Sequence, residues 1–142
     1  MGKRILVPVD GSEQAHTAFQ FAVEEFPDAT IVLLNVINPA EAGYSAQASL
    51  PSFSEEWYEQ QTDAAEGLFD NLIADVGADD RTVERVVEVG RPTTVIVEYA
   101  DDNDVDQIVM GSHGRSGVSR ILLGSVAETV VRRADVPVTV AR

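Results

Sequence analysis

The residues of this chain whose types and spacing could do chemistry gather in one stretch. It reads Gly111-Ser112-His113-Gly114-Arg115-Ser116-Gly117-Val118-Ser119-Arg120-Ile121-Leu122-Leu123-Gly124-Ser125-Val126. An expected strand, Val105 to Met110, leads into it, and apolar residues at helical spacing follow it, so the stretch joins a strand to a helix. Glycines at 111, 114 and 124 let backbone amides come close to a ligand. A helix starting at Gly124-Ser125 offers unpaired N–H groups at the positive end of its dipole. These are the requirements of a phosphate site. The Ser125 hydroxyl can cap the helix or donate to a phosphate oxygen, and Arg115 brings positive charge nearby. Taken alone, the same residues also describe an ordinary turn with Ser125 as a plain N-cap. Two other phosphate motifs are excluded, because Lys3 is the only lysine and no stretch reads Gly-x-Gly-x-x-Gly.

Other reactive side chains are sparse. With no cysteine there is neither a disulfide framework nor a thiolate metal site, and no metal-ligand cluster is visible in the sequence. A hydrolase based on Ser116 would need a full Gly-x-Ser-x-Gly elbow and His113 as its base; the chain has Gly114-Arg115-Ser116-Gly117, so that reading is rejected. His16 reads as a surface or hydrogen-bonding residue. The pair Trp57-Tyr58 reads as helix packing rather than a stacking platform for bases. Asp10, in Asp10-Gly11-Ser12, is by type a turn residue or cap.

The elements that must position these residues follow from periodicity. Ile5 to Val9 is a short apolar strand that Pro8 marks as ending, and after Ser12 the residues Ala15, Ala18, Phe19, Ala22, Val23 and Phe26 recur at helical spacing. Thr30 to Ile37 is a second buried strand. Residues 38 to 53 show no period and read as a loop. Ser52 and Glu55 have capping-box spacing ahead of a long helix that ends at Gly77. A third strand is expected over Arg81 to Val89, a helix from Pro92, a fourth strand over Val105 to Met110, a helix from Gly124-Ser125 to about Ala134 with Val126, Ala127, Val130 and Val131 inward, and a fifth strand over Val136 to Ala141. Strands alternating with helices require right-handed crossovers and a covered parallel sheet, hence one doubly wound α/β domain over residues 1 to 142.

Composition narrows the partners. A net charge of −14 argues against DNA, RNA or an anionic membrane surface. The acids are scattered over helix faces, which fits either a solvated surface or adaptation to high salt, where repulsion is screened within a few ångströms. Against this background residues 115 to 142 hold five arginines and two acids, so an anion site belongs at that end. The lack of cysteine and of any long apolar run makes the cytoplasm the expected location.

Gly111-x2-Gly114-x9-Gly124-Ser125 resembles the glycine signature of ATP-binding universal stress proteins. Val7-Pro8-Val9-Asp10-Gly11-Ser12, Asp106-Gln107-Ile108-Val109-Met110-Gly111, Gly124-Ser125-Val126-Ala127-Glu128 and Val136-Pro137-Val138 are similar to other segments of that family, so the likeness covers essentially the whole chain. It implies a five-stranded parallel sheet in the order 3-2-1-4-5, with a ligand beyond the carboxyl ends of strands 1 and 4. By resemblance Pro8, Val9 and Asp10 border the adenosine, with Asp10 on the ribose or a metal, and the backbone of Val36 meets adenine. Gly111, Gly114, Arg115, Gly124, Ser125 and Val126 hold the phosphates of ATP, His113 is counted among the binding residues, and Mg²⁺ is a candidate companion. The implied function is a stress-response binding module. A slow ATPase or nucleotidyl-transfer enzyme, and a binder of AMP or a cyclic nucleotide, are the alternatives. The apolar edge Val136 to Ala141, with no charge between Asp135 and Arg142, is expected to pair two copies into a homodimer, as the family often does.

Overall fold

Ile5, Leu6 and Val7 are wholly buried, as a strand must be when helices cover both its faces. They form the middle of β1 (Arg4–Pro8) in a computed structural model that describes residues 2–40, 55–112 and 124–142. The other elements are α1 (Glu13–Glu25), β2 (Thr30–Ile37), α2 (Glu55–Val76), β3 (Val83–Val89), α3 (Pro92–Asp102), β4 (Gln107–Gly111), α4 (Ser125–Arg133) and β5 (Val138–Ala141). The strands form one parallel sheet in the order β3-β2-β1-β4-β5, the doubly wound arrangement expected.

The period of two along each strand divides the core between the faces. Ile5, Val7, Ile31, Leu33 and Val109 pack with Phe19 of α1 and Phe69 of α2; Leu6, Val32, Leu34, Ile108 and Met110 pack with Ile96 of α3 and Val130 of α4. Fully burying one such side chain stabilises by roughly 1.5–3 kcal/mol. Half-exposed ion pairs such as Arg4–Glu84 and Arg85–Asp70 contribute about 0–1 kcal/mol each, so packing holds this fold. Glu84 raises the Arg4 pKa by accepting its hydrogen bonds, and Asp70, then Glu66, do the same for Arg85.

Several expectations need correction. Arg81 precedes β3 instead of opening it. Its guanidinium donates from Nη1 to Val23 O at 2.7 Å and from Nη2 to Phe26 O at 2.6 Å and Ala29 O at 3.3 Å, tying down the exit of α1, whose last turn has no basic residue of its own. Val131 was expected inward but is 45% exposed: the nine-residue α4 buries the narrow stripe of Ala127 and Val130, and Val131 falls at its margin. The packing expected of Trp57 and Tyr58 reaches only Trp57, which is half-buried, while Tyr58 is 42% exposed. Val105 and Val136 lie before their strands, not in them. Ser52, the expected cap of α2, lies outside the described residues.

The two sheet edges differ. On β3, Glu84, Arg85 and Glu88 are exposed, whereas β5 reads Val138-Thr139-Val140-Ala141 without a charge.

Candidate functional site

β1 and β2 stay paired over five Cα partners, Arg4 to Pro8 against Thr30 to Leu34, but β1 and β4 over only two, Ile5 with Gln107 and Leu6 with Ile108. No ladder joins β1 and β4 beyond these. From this pair the chain winds outward in opposite directions, which makes the gap at their carboxyl ends the switch-point crevice where an open α/β sheet takes ligands.

On the β1 side, Pro8 ends the strand and Val9 is anchored twice. Its N–H donates to Leu34 O at 2.9 Å, and its carbonyl accepts from Asn35 Nδ2 at 2.9 Å. Asp10 Oδ1 then accepts from Ser12 N at 3.0 Å, an Asx turn that the positive φ of Gly11 (+88°) completes. Ser12 caps α1, its Oγ accepting from Ala15 N at 3.1 Å, as the sequence predicts. Asp10 thus performs the turn role that its type suggested, and does so half-buried at the carboxyl end of β1. Val36 lies two residues beyond Leu34, the partner of Pro8, on the neighbouring strand.

On the β4 side, Gly111 meets the first turn of α1. A Cβ there would stand 2.6 Å from Gln14 Cβ and 2.8 Å from both Gln14 C and Gln14 O. Packing therefore requires glycine at 111, a reason independent of any phosphate. Ser112, 5% exposed, follows; its N–H donates to Ala141 O at 3.1 Å and its carbonyl accepts from Gly124 N at 2.6 Å. This last bond sets the amino end of α4 against the carboxyl end of β4.

That amino end differs from the expected one. The N-cap is Gly124, at φ −66° and ψ 162°, and Ser125 is the first helical residue, so Ser125 does not cap α4. Glycine has no side chain with which to cap it. The first intrahelical bond runs from Glu128 N to Gly124 O at 3.0 Å, so the amides of Ser125, Val126 and Ala127 have no intrahelical partner. Gly124's own N–H is spent on Ser112. Of the two helices that begin beside the crevice, α1 is capped by the side chain of its N-cap residue, whereas the N-cap of α4 is a glycine.

The structure thus brings Gly111, Gly124, Ser125 and Val126 together at one rim, with Pro8 at the end of the adjacent strand, Val9 and Asp10 just beyond it, and Val36 one strand further. His113, Gly114 and Arg115 lie outside the described residues. Among the described residues, no group of three or more His, Cys, Asp or Glu could hold a metal ion, and no helix is long and apolar enough to cross a membrane. Sequence reasoning missed Asn35 and Ser112. The signal for Asn35 was a polar residue in the otherwise apolar run Ile31 to Ile37. Ser112 gave none, because its bonds to Ala141 and Gly124 are made by its backbone.

The sequence matches the universal stress protein family over residues 1–142. The universal stress protein MJ0577 of Methanocaldococcus jannaschii is 34% identical, with 100% of this chain and 96% of that protein covered. Its solved structure gives a TM-score of 0.82 at 33% identity over 99% of this chain and 96% of that one. A universal stress protein solved in complex with cAMP shares 23% identity and a TM-score of 0.64 over 99% of this chain and 97% of that one. An Arabidopsis thaliana family protein solved with AMP bound shares 22% and 0.61 over 98% and 90%. At those last identities the likeness speaks for the fold alone. With a match along its full length and the sheet order the signature implied, this chain belongs to the universal stress protein family.

Proposed function

We propose that this protein is a nucleotide-binding module that holds ATP in the crevice between β1 and β4. The observation that carries the reading is the Ser112–Gly124 bond, which sets the amino end of α4, with glycine at its N-cap, at the switch point. The Ser125 and Val126 amides and the helix dipole suit a phosphate there. Gly114, Arg115 and His113, which lie between Ser112 and Gly124 in the sequence, are assigned to the phosphate end by the family resemblance. Pro8, Val9, Asp10 and the Val36 backbone form the nucleoside end. Asp10 is the carboxylate placed for a ribose hydroxyl, or for Mg²⁺ accompanying the phosphates. Turnover has less behind it, since in-line attack needs a positioned base, and Asp10 Oδ1 is already engaged with Ser12 N. AMP or a cyclic nucleotide is the second reading, because a helix amino end fixes the phosphate nearest it without dictating the length of the phosphate chain.

Denaturing the purified protein and identifying released nucleotide by mass spectrometry distinguishes these ligands. Added ATP with Mg²⁺ at about 100 times its Kd should stabilise the native state by about 2.7 kcal/mol, a rise in melting temperature of roughly 5–10 °C. No released nucleotide and no shift at saturation would sink the reading.

We also propose a two-fold homodimer through β5, in the cytoplasm. The uncharged edge strand supports pairing, and the guarded β3 edge argues against the other side. Val140→Asp sets two carboxylates near the axis and should convert dimer to monomer in light scattering. A wild type already monomeric at micromolar concentration, or a dimeric variant, rules this interface out.

A further inference from the structure

The carbonyl of Val9 has an unusual partner for a residue at the end of a parallel ladder. Were β1 and β2 to continue one step past Pro8 and Leu34, Val9 N–H would bond Leu34 O and Val9 O would receive the amide of Val36. The first of these bonds is present, at 2.9 Å. In place of the second, Asn35 Nδ2 donates to Val9 O at 2.9 Å, and the ladder stops at Pro8–Leu34. A side chain has taken over a backbone donor's task. The exchange holds Val9 in line with β2 and releases the Val36 amide from serving β1. Asparagine is depleted in strands, and a half-buried amide costs stability unless bonded, so the apolar β2 has no packing use for it.

We infer that Asn35 is a positioning residue for the nucleoside end of the crevice: its amide fixes Val9, and with it the Asp10–Ser12 turn, while leaving the Val36 backbone open to the ligand. This rests on the nucleotide reading above. Asn35 acts through Val9 and Val36 and needs no contact with the nucleotide itself.

The test compares three substitutions by titration calorimetry with ATP and with adenosine. Asn35→Leu removes the donor at similar size, and Asn35→Asp replaces it by a carboxylate that repels Val9 O. Asn35→His restores a donor, because imidazole Nδ1 is joined to Cγ just as the asparagine Nδ2 is. Asn35→Leu and Asn35→Asp should weaken ATP and adenosine by the same factor, about tenfold, with Asn35→His near wild type; the Ser12 amide should exchange hydrogen faster in the first two alone. Equal loss for both ligands marks the nucleoside end, and rescue by histidine separates positioning from general loosening. Unchanged affinities in Asn35→Leu, or a loss confined to ATP, would overturn the inference while the nucleotide reading stands. A wild type that binds neither ATP nor adenosine overturns both.

Discussion

Gly124→Val is expected to lower the affinity for ATP at least about 100-fold, equivalent to about 2.8 kcal/mol, while the melting temperature stays within about 3 °C of wild type. The residue at an N-cap is the one whose side chain reaches the orphan amides of the first turn. Glycine puts no side chain there, so an oxygen of a phosphate can take that place. Valine fills it with methyl groups. The backbone itself does not resist, since φ −66° and ψ 162° are open to any L residue and the Gly124 N–H to Ser112 O bond does not involve a side chain. The obvious companion, Gly111→Ala, makes a poor test: its Cβ would collide with Gln14, and a loss of binding would follow from a displaced α1. Gly124→Ser gives a graded control, because its hydroxyl would cap the helix and compete with phosphate without excluding it. A folded Gly124→Val protein with undiminished ATP affinity, measured by titration calorimetry, removes the phosphate role from this helix end.

The second large effect concerns stability. Arg81→Met keeps most of the aliphatic stem but strips the donors from Val23 O, Phe26 O and Ala29 O. Hydrogen bonds from a charged donor contribute about 1.5–3 kcal/mol each when protected, and less where water can replace them. Because Arg81 is half-buried, we expect a net loss of about 3 kcal/mol and a fall in melting temperature of roughly 10 °C. Arg81→Lys should fall between, since one ammonium cannot span three carbonyls as a planar fork can. The site lies at the opposite end of the sheet from the crevice, so affinity for ATP in the folded fraction should be unchanged. Chemical denaturation giving a loss under about 1 kcal/mol for Arg81→Met would show that solvent substitutes for the clamp.

What could be read from the residues, and what could not, divides along physical lines. Buried strands declare themselves by unbroken apolar runs, and every interior residue of Ile5–Val7 and Ile31–Leu34 is buried. The Ser12 cap was legible because one residue type at one place serves one local hydrogen bond. Gly124-Ser125 was ambiguous because both residues are good N-caps, and only dihedral angles separate them. Gly111 was read for a ligand, yet helix packing alone demands it; sequence records that a side chain is forbidden, not which neighbour forbids it. Arg81 was illegible as an actor, and Asn35 showed only as a polar break in an apolar run, because their partners are backbone carbonyls distant in the chain, which carry no residue-type signal. Val131 shows the limit of periodicity on a nine-residue helix, where one position of rotation separates core from solvent.

The unequal sheet edges bear on how this protein behaves when crowded. A sheet bare at both sides can recruit a neighbour at each, and the neighbours can recruit in turn, so the assembly has no natural end and grows toward filaments. Here Glu84, Arg85 and Glu88 line one side, and any strand approaching β3 must desolvate or confront them. Growth through sheet edges can then start only at β5, and two chains joined there present nothing but charged sides to a third. Neutralising Glu84 and Glu88 together would remove that stop, and the first sign would be a loss of solubility at high concentration rather than any change in the fold.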